Sequence, residues 1–150
     1  MYQRRISVRG VIYKNGKIYA QKLKNKDGIR NYWSTPGGGL DDGEDLLSGL
    51  HREMIEETGI APQIGRLMFV QQFNIRGKEQ LEFFFHITNA DDYEDIDLTS
   101  TSHGLIEVAE HGFIDPNNEI ILPSDLQKFD FENYTKHVEP VVILNELGSI

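Results

Sequence analysis

The 150-residue chain contains no cysteine. That removes disulfides, thiolate metal sites and cysteine nucleophiles from consideration. It also lacks a basic footprint: Lys and Arg number 15 against 24 Asp and Glu, for a formal net charge of -9. A nucleic-acid binder usually neutralises phosphates with a basic surface. A long polyanion is therefore an unexpected partner, and a small phosphorylated molecule fits only where cations supply positive charge. No apolar run of signal-peptide type follows Met1-Tyr2-Gln3-Arg4-Arg5, and no stretch approaches the length of a transmembrane helix. A membrane is thus not expected as a partner, and the cytoplasm is the expected location. No Gly-x-Ser-x-Gly elbow offers serine-hydrolase chemistry. The histidines, His51, His86, His103, His111 and His137, are scattered without metal-ligand spacing.

What is present reads as an ordinary globular composition, with 39% hydrophobic and 26% charged residues. The length suits one domain spanning residues 1–150. Ile6 to Tyr13 is β-branched and aromatic, and Asn15-Gly16 signals a two-residue hairpin turn with Ile18 to Leu23 returning. A loop is expected over Lys24 to Asn31, a short strand over Tyr32 to Thr35, and a break at Pro36-Gly37-Gly38-Gly39. Leu46, Leu47, Leu50 and Met54 recur at helical spacing. With Asp41 or Asp42 as N-cap and Gly59 as the left-handed C-terminal residue, the expected helix runs from about Glu44 to Thr58. Ile64 to Phe73 and Gln80 to Ile87 read as paired strands, Ala90 to Ser102 as an acidic loop, and Glu107 to Ile114 as a further strand. Pro123 to Phe129 reads as a short helix opened by Ser124. The apolar segment Pro140 to Leu147 is strand or helix, and its tail from Val141 belongs in the core or at a homodimer interface. Hairpins and helices in this order indicate an α/β or α+β fold, a sheet packed against helices.

The informative segment is Gly38-x5-Glu44-x7-Arg52-Glu53-x-x-Glu56-Glu57-x-Gly59. Helical residues three and four apart share a face, so Glu53, Glu56 and Glu57 cluster on one side. Crowded carboxylates repel and need a counter-charge. Hard divalent cations prefer oxygen ligands, and Mg²⁺ takes one or two carboxylates plus water and substrate phosphates. The Arg52 fork suits holding a carboxylate in fixed orientation, with Glu44 or Glu56 as its partner. A carbonyl from Gly37 or Gly38 offers a further oxygen ligand, and the glycines of the run let backbone approach a ligand closely. No Lys-Ser or Lys-Thr follows the run, so it is not a Walker loop. Tyr32, Trp33, Phe73 and the run Phe83-Phe84-Phe85 are either core residues or surfaces on which a base stacks. Arg30 is a candidate phosphate contact beside the glycine run.

Exposed glutamates on a surface helix would explain three clustered carboxylates, but not the whole spacing. Seven specified residues at fixed positions arise by chance in roughly one chain per million of this length, given average residue usage. The spacing resembles the Nudix box, with Met54 and Ile60 filling its apolar slots, over the 23 residues from Gly38 to Ile60. Trp33-Ser34-Thr35-Pro36-Gly37 is similar to the family's lead-in, while Asp41 stands where many relatives carry Glu. The resemblance implies an α/β/α sandwich around a mixed sheet, with the box as loop-helix-loop. It implies attack by water on a phosphorus of a nucleoside diphosphate linked to another group, such as a nucleoside triphosphate, nucleotide sugar, ADP-ribose or dinucleotide. By the same resemblance Glu53, Glu56 and Glu57, with the Gly38 carbonyl, hold Mg²⁺ or Mn²⁺. Arg52 and Glu44 support them, and Gly37, Gly38, Gly39, Trp33 and Arg30 contact substrate. The general base is one of the box glutamates or a later acid: Glu107, Glu110 or one within Asp91 to Asp97. Other readings on the same scaffold are a non-catalytic nucleotide-sensing or partner-binding module, an RNA-end pyrophosphohydrolase, which the acidic charge disfavours, and an isoprenoid diphosphate isomerase. The last normally employs a cysteine, which this chain lacks.

Overall fold

The computed structural model describes residues 3–136 and 142–146. Strand β1 (Arg4–Val11) leads through β2 (Tyr13–Lys14) to β3 (Lys17–Asn25), then to the short strands β4 (Gly28–Ile29), β5 (Trp33–Ser34) and β6 (Gly37–Gly39). Helix α1 (Leu46–Thr58) follows, then the long hairpin β7 (Ile64–Ile75) and β8 (Lys78–Ile87). The one-turn helix α2 (Gly104–Glu107) runs into β9 (Val108–Ile114), and β10 (Ile121–Leu122), α3 (Phe131–Lys136) and β11 (Val142–Glu146) complete the order. Among the described residues no helix is long and apolar enough to cross a membrane.

The fold is mixed α+β, as expected, with its strands divided between two sheets. The first has the order β11-β7-β8-β1-β6 and is itself mixed: β1 runs parallel to β8 and antiparallel to β6, and β11 runs parallel to β7. The second is built on β3, which pairs with β2, β4, β5 and β9, while β10 extends it from β5. Two tight turns use paired positive-φ residues: Asn15-Gly16 joins the two-residue β2 to β3, and Arg76-Gly77 joins β7 to β8. The hairpin expected between residues 6–13 and 18–23 is confined to β2 and the start of β3, because β1 pairs with β8 and β6 in the other sheet. That turn geometry matches the right-handed twist of the flanking strands.

One apolar cluster packs α1, through Leu50 and Met54, on Val8, Tyr19 and Ile87; the other gathers Val11, Trp33, Phe69, Phe84 and Phe131. The helix can come this close to β1 because Gly10 lies under it. A Cβ there would sit 3.0 Å from Ile87 Cγ1 and 3.1 Å from Met54 Sδ. Of the helical apolar face expected from the sequence, Leu50 and Met54 are fully buried, whereas Leu47 is 52% exposed.

Several local expectations are corrected. The helix N-cap is Asp45, whose carboxylate accepts from the Ser48 N–H at 2.8 Å, and not Asp41 or Asp42. Glu44 accordingly precedes the helix. Residues 24–31 are not a simple loop but contain β4, and the glycine run is not irregular: Gly37 to Gly39 pair with β1. The acidic stretch carries two 3₁₀ turns, Ala90–Tyr93 and Leu98–Ser100, the first burying Tyr93. The helix expected after Pro123 is a 3₁₀ turn, Ser124–Gln127, preceded by Pro123 and without a side-chain cap. The last apolar segment is a strand over 142–146; Val141, Leu147 and His137 lie outside the described residues.

Candidate active site

The site forms where β6 delivers the glycine run against the inner face of α1. Gly37 has φ 141°, and a side chain there would collide with the Val8 carbonyl, so only glycine lets β6 pair this closely with β1. At Gly38 a Cβ would fall 2.7 Å from the Glu53 carboxylate. Glu53 therefore rests directly on the backbone of the loop. Gly37 N–H donates to Glu57 Oε2 at 3.1 Å, bringing the second carboxylate to the same loop.

Arg52 ties the cluster together. Its Nε donates to Glu44 Oε2 at 2.8 Å and its Nη2 to Glu44 Oε1 at 2.9 Å. The remaining donors reach Glu53 Oε1 at 3.0 Å, Glu56 Oε2 at 3.1 Å and the Gly39 carbonyl at 3.1 Å. The sequence left Glu44 and Glu56 as alternative partners; the guanidinium takes both and Glu53 as well. Its hydrogen bonds hold the Glu44 carboxyl down to about 2.

Burial has the opposite effect on the carboxylates facing the loop. Glu57 is 5% exposed, and desolvation pushes its pKa up to about 8 against the lowering influence of Arg9 and of the Gly37 N–H. Glu53 is shifted upward too, by desolvation first, with Arg52 opposing it and Glu56 adding to it. Removing a carboxylate from water penalises its charged form, and a like charge beside it adds to the penalty.

Among the described residues no group of three or more acidic or histidine side chains is gathered closely enough to cage a cation outright. Arg52 occupies oxygens of Glu53 and Glu56, and His103 Nδ1 lies 3.3 Å from Glu56 Oε2. The donor set nonetheless suits a hard cation. Two largely buried carboxylates meet a glycine backbone whose missing side chain leaves Glu53 its place, and hard divalent ions take oxygen ligands of this kind.

The later acids separate clearly. Glu107, at the end of α2, lies near enough to Glu57 to raise its pKa. The preceding His103 N–H donates to the Glu56 carbonyl, docking α2 on the end of α1. Glu110 faces Lys22 on β3 at 3.6 Å. Asp91 pairs with Lys14, and Asp97 caps its own 3₁₀ turn through the Thr99 N–H.

Beside the loop lies a cleft of about 310 Å³ with Arg5, Arg9, Arg30 and Tyr32 on its walls. Arg30 lines this cleft, its guanidinium 5.7 Å from the Tyr32 ring centroid. Neither it nor Arg5 has a carboxylate partner among the described residues. Trp33, grouped with the substrate contacts, is corrected: it is buried in the core, with Lys22 Nζ 5.1 Å above its ring and Nε1 donating to Glu119. Tyr32, its neighbour, reaches the cleft instead.

Sequence reasoning missed Arg9. It donates to Glu82 at 2.8 Å and to the Thr35 and Gly37 carbonyls at 3.2 and 3.3 Å, so it braces the glycine loop from behind. The available signal was the alternation of β1, which sets Arg5, Ser7 and Arg9 on one face and Ile6, Val8 and Gly10 on the other. His103 was missed too, because its contact with Glu56 depends on the docking of α2.

The profile of the family described as NUDIX domain matches residues 1–134. The 8-oxo-dGTP diphosphatase of Buchnera aphidicola subsp. Schizaphis graminum (strain Sg) is 32% identical over 124 residues, 81% of this chain and 92% of that protein. The RNA pyrophosphohydrolase of Pelagibacter ubique (strain HTCC1062) is 28% identical over 148 residues, 88% of this chain and 89% of that protein. Among solved structures, the E. coli ORF135 protein superposes with a TM-score of 0.70 at 18% identity, covering 93% of this chain and 96% of that one. The MutT protein from Methanosarcina mazei Go1 gives 0.66 at 22% identity, covering 90% and 95%. These structural likenesses carry the fold alone. With a family profile spanning the box, its glycine loop and the β7–β8 hairpin, the chain belongs to the Nudix family of hydrolases acting on phosphorus-containing acid anhydrides.

Proposed function

We propose that this chain is a Mg²⁺-dependent pyrophosphohydrolase that opens the diphosphate linkage of a small nucleotide. The observation that carries the reading is the seating of Glu53 and Glu57 on the Gly37-Gly38 backbone, with Arg52 holding Glu53, close along the chain to Ser34 and Thr35 of an arginine-walled cleft. Relatives named 8-oxo-dGTP diphosphatase and RNA pyrophosphohydrolase share the opening of a phosphoanhydride, which supports the same chemistry here. The intact set of box glutamates argues against a binding-only module.

Each residue then has a task. Glu53, Glu56 and Glu57, with the Gly38 carbonyl, would hold the cation. Bound there, Mg²⁺ or Mn²⁺ supplies neutralisation of the diphosphate oxygens and Lewis acidity toward the scissile phosphorus. Arg52 fixes the directions of the carboxylates, and Glu44 fixes Arg52, as supporting residues around ligands commonly do. Arg5 and Arg30 attract the anionic substrate into a molecule that is otherwise strongly acidic. Glu107, or a box glutamate that does not ligate the cation, takes the proton of the attacking water. Without the cation, burial holds the Glu57 carboxyl up at about 8.

The test is release of phosphate, pyrophosphate or nucleoside monophosphate from a nucleotide panel, with and without Mg²⁺. Turnover that needs the cation and is lost in Glu57→Gln is the expected result. No turnover of any nucleotide, nucleotide sugar or dinucleotide by the pure protein would overturn the reading.

A further inference from the structure

The cleft has a polar floor that the reaction chemistry does not use. Strand register sets Ser7 of β1 beside Glu82 of β8, and Glu82 beside Gln71 of β7. Cross-strand neighbours share a face, so these side chains form a row across the sheet. The next row contains Arg5, Gln80 and Phe73. Gln71 and Gln80 are buried, and both line the cleft together with Glu82 and Phe73. Thr35 also lines it; its hydroxyl is buried and has no hydrogen-bond partner among the described residues, and the same holds for the Ser7 hydroxyl. Burying polar groups is costly unless they find partners. This floor is therefore suited to a flat, polar ligand between apolar walls that include Phe73 and Phe84.

Glu82 decides which ligand. Its Oε2 accepts from Arg9 Nε at 2.8 Å, which leaves Oε1 without a donor in that pair. The Gln71 and Gln80 amides carry both donors and acceptors, so they tolerate either kind of edge. A carboxylate offers acceptors only. It pairs with an exocyclic amino group and repels a carbonyl standing in the same place.

We infer that Glu82 is a specificity-determining residue, selecting nucleotides whose base carries an exocyclic amino group (cytosine, adenine or guanine) over those of uracil and thymine, which place a carbonyl where cytosine carries its amino group and keep only a ring N–H between two carbonyls. The inference rests on the nucleotide-hydrolase reading above and deepens it. Base discrimination by one well-placed side-chain pair is typically about tenfold or more, so a preference of about tenfold is expected.

The experiment compares kcat/KM for CTP, ATP and GTP with that for UTP, dTTP and ITP, in the wild type and in Glu82→Gln. At least one pair differing in the amino group, CTP over UTP or GTP over ITP, should differ about tenfold in the wild type. The glutamine variant should lose that preference, because its amide can donate to a carbonyl. A role for Glu82 confined to bracing Arg9 would slow all substrates alike and leave the ratio unmoved, which would overturn the inference while the hydrolase reading stands. A flat wild-type panel would overturn it equally, and that result needs no variant to fold. If no nucleotide turns over, the hydrolase reading fails separately, and calorimetry with CMP, AMP and GMP against UMP still decides: tighter binding of an amino-bearing base supports the inference, and equal or absent binding overturns it.

Discussion

Arg52 and Glu44, eight positions apart, are joined by two parallel N–H···O bonds of 2.8 and 2.9 Å. That fork fastens the segment preceding α1 to its second turn, and the same guanidinium goes on to hold Glu53, Glu56 and the Gly39 carbonyl. A lysine carries the charge but cannot make the planar two-bond contact. Arg52→Lys is expected to lower kcat/KM or Mg²⁺ affinity by about 10–100-fold, the usual cost of losing a residue that orients metal ligands. Steady-state kinetics over a Mg²⁺ titration separates the two effects.

Gly38→Ala tests the seat of Glu53. The added methyl would lie 2.7 Å from that carboxylate, at the end of a flexible side chain that can swing aside. Activity is therefore expected to fall much more than Tm. A large loss of stability with normal Mg²⁺ dependence of the remaining activity would contradict this account.

The pH dependence of the cation-free protein follows from Glu57. Its carboxyl is raised from 4.5 to about 8 by burial, so between those values the folded state holds a proton that the unfolded chain has released. Stability then falls as pH rises through that window, since it falls wherever the folded state binds more protons. Thermal melts in EDTA should show this decline, and Glu57→Gln should flatten it. Adding Mg²⁺ should raise Tm more at pH 8 than at pH 5, because ligands must be deprotonated to bind metal.

Two substitutions probe the scaffold without entering the site. Asp45→Ala removes the cap of α1 and should cost about 1 kcal/mol, a fall in Tm of roughly 2–4 °C for a chain of this size. Gly10→Ala pushes a methyl into Ile87 and Met54 under the helix and should cost about 1–3 kcal/mol through overpacking. Both are read by chemical denaturation at constant m-value.

The box was legible because its chemistry is local. Glu53, Glu56 and Glu57 follow from helical periodicity, and Gly59 does take the left-handed C-terminal position, with φ 77°. The β7–β8 hairpin was visible as two strand-like runs, whereas the Asn15-Gly16 turn closes only Tyr13–Lys14 on β3, because the rest of the expected first strand pairs with β8. The cap was misplaced because four acidic residues, Asp41, Asp42, Glu44 and Asp45, offer similar side chains; what selects Asp45 is the reach of its carboxylate to the Ser48 N–H. The strand character of Gly37 to Gly39 was hidden because glycine has low intrinsic strand preference, and pairing with β1 overrides it. Arg9 and Trp33 were missed or misjudged for a common reason. Alternation assigns a residue to one of two faces, but only the neighbouring strands say which face meets the cleft.

Strand β11 lies against β7 over Phe69 to Phe73, at the outer border of the first sheet. Without it the long β7 strand would present bare amides and carbonyls to any other extended chain, which is how sheets template aggregates. Residues 142–146 thus guard the sheet against self-association. A chain ending before Val142 is expected to keep its hydrolytic centre while turning sticky, growing in light scattering with concentration where the full chain does not.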